Sequence, residues 1–490
     1  MAERRTDAVE RDPALARGVR VRYAPAPSGE LHVGGARTAL YDWLFARHHG
    51  GSFVLRIEDT DATRTTEESV AGLQEALRWL GIEWDEGPGV EGPFGPYRQT
   101  ERLAIYREEA ERLLRAGNAY PCYCTPEELE ERRKQAMARG EPPGYDRRCR
   151  DLTEEQRQAF EAEGRTPALR FACPDRDVTF TDLVRGEVTF PASDIKDFVI
   201  MRGDGTPTYL LAAAVDDWKM ELTHVIRGED LFSSTPRQIL LLEALGAERI
   251  PAYGHLPLIV GPDRQPLSKR HGSVAVERFR EEGFLPEALV NYLSLLGWSF
   301  DDHTTFFTTG ELIERFDLSR VSHNPAAFDR EKLEWMNGHY IRESSDERLV
   351  ELIEERLRDA GIAPERETLA GAVPLVKERM KLLSEAPALL RFLFEDVEPD
   401  EGARAMLDGQ QEYLEAVAQR LEGLAEWTTG AIEEALRELK EERGLGSKKA
   451  FQPVRAAATG TLISPPLFES IELLGRERTL ARLRAAKSGG

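Results

Sequence analysis

The sequence predicts an α/β protein: a doubly wound sheet interrupted by an insertion and followed by an all-α C-terminal region. Three observations carry this. Residues 19–80 run strand, glycine-rich loop, helix, strand and helix, which is half of a doubly wound fold. Residues 120–190 break that alternation and hold all four cysteines. Beyond residue 345, apolar residues recur at helical spacing almost throughout. At 490 residues the chain is too long for one core and suggests roughly two to four domains.

Taken in order, residues 19–25 (VRVRYAP) read as a strand that stops at a proline. Residues 29–35 form a glycine-rich turn, and from Ala36 the pattern becomes helical, with Leu40, Trp43 and Leu44 on one face. Residues 52–57 form a second strand that closes on Glu58 and Asp59. A helix follows over about 67–80, with Val70, Leu73, Leu77 and Leu80 at helical spacing, and residues 100–118 predict another. After the insertion, residues 197–201 and 223–227 are strand-like and 236–245 helical, expected as the second half of the same sheet. A glycine-proline loop at 261–272 leads into mostly helical sequence. Leu414, Val417, Leu421 and Leu424 mark one amphipathic helix. Ile432, Leu436 and Leu439 mark the next, after the Thr-Thr-Gly break at 428–430.

Composition is that of a soluble globular protein, 41% hydrophobic and 31% charged, with no apolar run near the ~20 residues that span a bilayer. The N-terminus is polar and carries both charge signs, unlike a signal peptide, so a cytoplasmic protein is expected, with residues 1–18 a mobile extension. A net charge of −22 by itself argues against a nucleic-acid partner. Charge is local, however: residues 448–490 hold eight Lys/Arg against three acids. That tail reads equally as a phosphate-binding face or a solvated helix surface. Four cysteines are too few for a disulfide scaffold, and their clustering within about fifty residues raises the question of a metal.

Two segments carry chemistry. In RYAPAPSGELHVGG (22–35) a strand stops at prolines, turns through glycine and enters a helix, whose N-terminus suits a triphosphate. Gly34 lets an adenosine ring approach the backbone, and His32 can donate to a phosphate as charge builds. In PLSKRHG (266–272), after Gly-Pro-Asp, Lys269 can reach an α-phosphate from a mobile loop. Singly, each segment also reads as an ordinary turn with solvated polar residues.

Together, the proline-rich turn with His-x-Gly and the later Leu-Ser-Lys-Arg resemble the two signatures of class I aminoacyl-tRNA synthetases. The finer resemblance is to the bacterial glutamyl type. It is carried by GGARTALYDWLFARHHGGSFVLRIEDTD (34–61), PTYLLAAAVDD (207–217), HVIRGEDLFSSTPRQ (224–238) and FDREKLEWMNGHYIR (328–342). It runs from about Arg20 to the C-terminus. The resemblance implies a Rossmann-like catalytic domain at 19–100 and 207–260, with an inserted acceptor-stem domain at 101–206. It also implies a signature loop and helical stem-contact domain at 261–344 and an α-helical anticodon-binding region at 345–490.

For the site, it implies ATP held by His32, Gly34, Gly35, Ser268 and Lys269, with His32 and Lys269 catalytic. Glutamate would meet Arg22, Ala24, Glu58, Tyr209 and Arg227. Carboxylates want arginine forks and the ammonium wants a carboxylate, so Arg22 and Arg227 take the former, Glu58 the latter, and Tyr209 closes the pocket. Arg227 argues for glutamate, since glutaminyl relatives place an uncharged residue there. Three positions depart from the family pattern: Ala26, Ala213 and Pro266, usually serine, sometimes asparagine and usually lysine.

The reaction implied is attack of the glutamate carboxylate on the α-phosphorus of ATP, then transfer to the terminal adenosine of tRNA(Glu), with Mg²⁺ accompanying ATP. Catalysis is then positioning plus charge stabilisation. Expected partners are tRNA(Glu), L-glutamate and ATP, with no membrane and a monomeric state. The Cys122-Tyr-Cys124 pair and Cys149 suit structural Zn²⁺. By resemblance Tyr145 is the fourth ligand, with Asp151 and Cys173 as alternatives. KKAFQPVR (448–455) resembles a basic-aromatic segment of the anticodon cage, where Phe451 reads equally as a stacking or a core residue. Three other readings share many of these motifs. A truncated paralogue that charges a modified base lacks the C-terminal helical region. A nondiscriminating enzyme also loads glutamate on tRNA(Gln). Against a noncatalytic RNA-binding paralogue stand His32, Gly34, Ser268, Lys269, Arg22 and Arg227.

Overall fold

The computed structural model describes residues 14–15, 18–27, 29–60, 65–90, 92–140, 144–272 and 274–486. Most of the expected N-terminal extension lies outside the described residues, as do Lys487 and the side chain of Lys269. The chain divides into two compact units: Met1–Arg278 with Leu289–Asp329, and Phe279–Ala288 with Arg330–Gly490. The expected boundaries at 260/261 and 344/345 fall inside these units.

The first unit opens with β1 (Arg20–Tyr23), α1 (Val33–His48), β2 (Ser52–Leu55), α2 (Glu67–Trp79) and α3 (Leu103–Arg115). Next come β3 (Ala119–Cys122), α4 (Pro126–Ala138), α5 (Glu154–Ala162), β4 (Ala168–Phe171), β5 (Val178–Asp182), β6 (Gly186–Phe190) and β7 (Phe198–Met201). Then follow α6 (Tyr209–Lys219), β8 (His224–Gly228), α7 (Thr235–Ala244) and β9 (Ala252–Leu256). Strands β1 and β2 are parallel, as are β8 and β9. Thr223 joins the two pairs: its N–H donates to Arg20 O at 2.9 Å and its Oγ1 accepts from Arg20 N at 2.8 Å. The sheet therefore reads β6-β5-β9-β8-β1-β2.

α1 is buried nearly all round: Ala36, Ala39, Leu40, Leu44 and Phe45 face the core, and Arg37 and Asp42 are buried with them. α2 begins where the Thr66 side chain accepts from Ser69 N, with Glu67 and Glu68 favourable in the first turn, and it buries Val70, Leu73 and Leu77. Where one helix was expected over 100–118, Gln99–Arg102 forms a 3-10 turn before α3. Gln99 and Arg102 both reach the buried Asp216 carboxylate, at 3.0 and 2.7 Å.

Two assignments change. The strand expected at 197–201 is β7, but it pairs with β4 in a separate antiparallel sheet, β3-β4-β7, and not in the main sheet. Instead the β5–β6 hairpin, sequence that reads as irregular insertion, reaches the main sheet through Asp182 opposite Tyr253. A short apolar run announces a strand but not its partner, which tertiary packing selects.

The second unit is helical throughout. Gln411–Glu422 buries Leu414, Val417 and Leu421; Thr429–Glu442, capped by the Thr428 side chain, buries Ile432, Leu436 and Leu439. Each such fully buried leucine contributes roughly 1.5–3 kcal/mol. The basic tail serves this packing. Arg482 donates to Ala458 O, Phe392 O and Glu395 O at 2.6, 2.9 and 2.7 Å, Arg478 joins it at Glu395 O, and Arg455 donates to Pro465 O at 2.7 Å. Arg478 and Arg482 thus fill carbonyls that helix ends leave unpaired, while Arg455 pins the loop between two helices. Phe451 packs against the core and meets Phe468 edge-on at 5.5 Å. Among the described residues no helix is long and apolar enough to cross a membrane.

Candidate active site

Parallel strands in a doubly wound sheet deliver their carboxyl ends to one crevice. Here β1 ends at Arg22 and Tyr23, β2 runs on to Arg56 and Glu58, and Arg227 and His255 are the next-to-last residues of β8 and β9. A cavity of about 280 Å³ opens there. All five expected glutamate-binding residues line it, Arg22, Ala24, Glu58, Tyr209 and Arg227, together with Gly34 and Gly35.

Arg22 is buried, donating to Asp217 Oδ1 and Ile226 O, both at 3.2 Å. Burial opposes its charge, but Asp217 holds the guanidinium above the ordinary arginine value. Arg56, fully buried, bridges Asp217 at 2.7 Å and Glu58 Oε1 at 3.0 Å. Burial raises the Glu58 pKa, and Arg56 and Arg22 oppose that rise. For Asp217 the balance is reversed: burial is outweighed by Arg56 and Arg22, which hold it below the usual carboxylate range.

Arg227 is held differently. Its Nε donates to His255 Nε2 at 3.1 Å, Nη1 to Tyr209 Oη at 3.1 Å, and Nη2 to Thr235 Oγ1 and Leu231 O at 2.9 and 3.3 Å. These four acceptors are neutral. It is 3% exposed, and no ion pair joins it to a carboxylate among the described residues. A buried guanidinium held only by neutral acceptors is a ready receptor for an anion.

The two signature segments meet. Val33 N donates to Val274 O at 2.8 Å and Val276 N to Leu31 O at 2.9 Å, so the loop after Lys269 is laced to the start of α1. His32 caps α1, its Nδ1 accepting from Gly34 N at 3.0 Å. Burial lowers its pKa, against a hydrogen bond to the Leu267 backbone. Ser268 N donates to His271 Nδ1 at 3.1 Å. At Gly35 a Cβ would sit 2.5 Å from the Tyr23 hydroxyl, so a larger residue would have to displace the buried Tyr23 ring. His32 and Ser268 are not among the residues lining the 280 Å³ cavity. Of the departures, Ala26 is exposed and Ala213 fully buried, neither lining the cavity, while Pro266 bridges Val260.

Away from this crevice, the Sγ atoms of Cys122, Cys124 and Cys149 lie within 4.8 Å of one another. Tyr145 Oη is 3.4 Å from Cys122 Sγ and 3.8 Å from Cys124 Sγ, and Cys124 and Cys149 are 3.6 Å apart. Tetrahedral zinc with bonds of about 2.3 Å spaces its ligands by roughly 3.5–3.8 Å, so the donor set fits. Cys173 lies apart, donating to Lys196 O at 3.3 Å, and Asp151 is exposed and outside the cluster.

Comparison with known proteins decides the family. Residues 18–335 match the catalytic domain of tRNA synthetases class I (E and Q). The chain belongs to this family of class I tRNA synthetases. Residues 348–487 match an anticodon binding domain. The chain is 48% identical to a glutamate–tRNA ligase of Moorella thermoacetica, over 96% of this chain and 98% of that one. It is 49% identical to one of Saccharopolyspora erythraea, over 96% of both. A crystal structure of a glutamate tRNA ligase from Elizabethkingia meningosepticum in complex with its amino acid is 35% identical. It superimposes with a TM-score of 0.85, covering 96% of this chain and 99% of that one.

In this class I synthetase the sequence reading missed Arg56, Asp217, Asp182 and His255. Arg56 and Asp217 stand inside motifs already quoted, and charged residues among apolar neighbours were the available signal. Asp182 and His255 offered none beyond being ionisable.

Proposed function

We propose that this chain is a glutamate–tRNA ligase, activating L-glutamate with ATP and transferring it to the 3′-terminal adenosine of tRNA(Glu). The observation that carries the reading is Arg227: a buried guanidinium with only neutral partners, lining a small cavity beside Arg22 and Glu58. The side-chain carboxylate of glutamate supplies the missing anion. Glu58 takes the ammonium, and Tyr209, already hydrogen-bonded to Arg227, covers the side chain.

ATP, entering as its magnesium complex, lies across the start of α1, where Gly34 and Gly35 admit the nucleotide and the helix N-terminus faces phosphate. His32 donates to phosphate in place of Leu267, and Lys269 with Ser268 approaches from the loop laced to α1. The glutamate carboxylate attacks the α-phosphorus, pyrophosphate leaves, and a ribose hydroxyl of tRNA takes the acyl group from the adenylate. No protein nucleophile is needed; these residues orient reactants and stabilise charge.

Cys122, Cys124, Cys149 and Tyr145 hold a structural zinc ion, which fixes the fold of the insertion; their spacing supports this. A reducing cytoplasm suits a site of three thiols, and the chain acts as a monomer.

Charging assays with purified tRNA(Glu) and tRNA(Gln), each with glutamate and with glutamine, test the function. Glutamate loaded on tRNA(Glu) is expected. Added loading of tRNA(Gln) with glutamate would assign the nondiscriminating form, and no charging by glutamate would overturn the proposal.

A further inference from the structure

Arg227 does not hold its own orientation. Behind it stands a buried polar chain contributed by the β5–β6 hairpin, β9 and α7, in which His255 separates the guanidinium from the Asp182 carboxylate. Asp182, at the end of β5, is 1% exposed, His255 and Thr235 are 0% exposed. Asp182 Oδ2 lies 2.5 Å from His255 Nδ1. Asp182 Oδ1 accepts the backbone N–H groups of Val184, Arg185 and His255 at 2.9, 3.0 and 3.3 Å. On the far side of the ring, His255 Nε2 is 3.1 Å from Arg227 Nε and 3.0 Å from Thr235 Oγ1.

Donor counting settles the protons. Arg227 Nε only donates, so His255 Nε2 must accept. Thr235 Oγ1 accepts from Arg227 Nη2 at 2.9 Å and lies 3.0 Å from Nε2, so an unprotonated Nε2 meets no opposing N–H on this side. His255 therefore carries its single proton on Nδ1 and gives it to Asp182. An imidazolium, or the other tautomer, would set N–H against N–H in a dry interior. Burial, and the nearby Arg227 charge, hold His255 below its ordinary pKa although Asp182 pulls the other way, which agrees with a neutral ring.

We infer that Asp182 and His255 are positioning residues for substrate selection: Asp182 locks the His255 tautomer, and His255 with Thr235 fixes the guanidinium plane of Arg227 toward a substrate carboxylate. This rests on Arg227 being the receptor for the glutamate side chain. Only a small displacement of that plane is needed to spoil a two-point contact.

Asp182→Asn is the telling variant. The amide oxygen keeps the three backbone donors, so the NH₂ faces Nδ1, and His255 must move its proton to Nε2, against Arg227. Steady-state charging is expected to show KM for glutamate raised about tenfold or more, with KM for ATP within about twofold of wild type. ¹⁵N-histidine spectra, with His255 assigned by its loss in His255→Gln, should show the Nδ1-protonated neutral ring in the wild-type enzyme and the Nε2-protonated ring in Asp182→Asn. Arg227→Ala, measured in parallel, separates the two ideas. If Arg227→Ala raises KM for glutamate and Asp182→Asn does not, the positioning role is overturned. If Arg227→Ala also leaves it unchanged, Arg227 is not the receptor and the inference falls with that reading. Should Asp182→Asn fail to fold, the wild-type spectrum decides: an Nε2-protonated or doubly protonated His255 overturns the proposal.

Discussion

Asp42 illustrates what burial does to a single ionisable residue. It lies on α1 with 0% exposure, and neither carboxylate oxygen has a hydrogen-bond partner among the described residues. Burial pushes its pKa well above the usual range; Arg22 pulls it down and Asp217 pushes it up. Burial therefore disfavours the charged form in the folded protein, whereas in the unfolded chain the group titrates near pH ~3.9. A folded pKa raised in this way costs nothing below the unfolded value and costs progressively more stability as pH climbs above it. Asp42→Asn should raise the melting temperature by a few degrees at pH 8, with the gain shrinking as the pH falls toward 4. A gain independent of pH would refute this account. At this scale Arg22, Glu58, Tyr209 and Arg227 were legible because each stands in a recognisable motif. Asp182 and His255 were not, because their contact joins positions 73 apart.

Among the elements, helices and strands were read well where a periodic face exists. Val70, Leu73 and Leu77 on α2, and Ile432, Leu436 and Leu439 on Thr429–Glu442, are buried as their spacing implies. Strand partners were not legible, as β7 and the β5–β6 hairpin show. The cysteine-bearing insertion is a third case: the Cys-x-Cys spacing announced a site, but only folding brought Cys149 and Tyr145 to it while leaving Cys173 behind. Metal analysis after chelator washing should find about one zinc per chain, and Cys149→Ser should lose it. Less than about half an equivalent in the wild-type protein would sink the zinc site. The basic tail shows the converse. A run of arginines that reads as a phosphate-binding face spends Arg478 and Arg482 on helix-end carbonyls and Arg455 on the loop carbonyl of Pro465.

For the whole molecule, the decisive event is the meeting of two distant segments. Leu31 N donates to the Glu277 carboxylate at 3.1 Å, across 246 positions, and His32 reaches the Leu267 backbone. This places the loop carrying Lys269 beside the helix N-terminus to which the proposed function assigns the phosphates. Lys269→Ala is expected to slow pyrophosphate exchange by roughly 100-fold; exchange at the wild-type rate would remove Lys269 from the site. Both segments were visible in the sequence, because proline-rich turns, glycines and a basic loop carry local conformational and chemical signals. The sequence by itself determined the α/β class, the helical C-terminal region, the family and seven of the seventeen residues lining the crevice. These depend on local periodicity and on short motifs. Only the tertiary structure decided the strand order, the membership of the cysteine cluster, the burial of Asp42 and the Asp182–His255–Arg227 chain. Each of these depends on which groups are withdrawn from water together, and a one-dimensional pattern does not encode that.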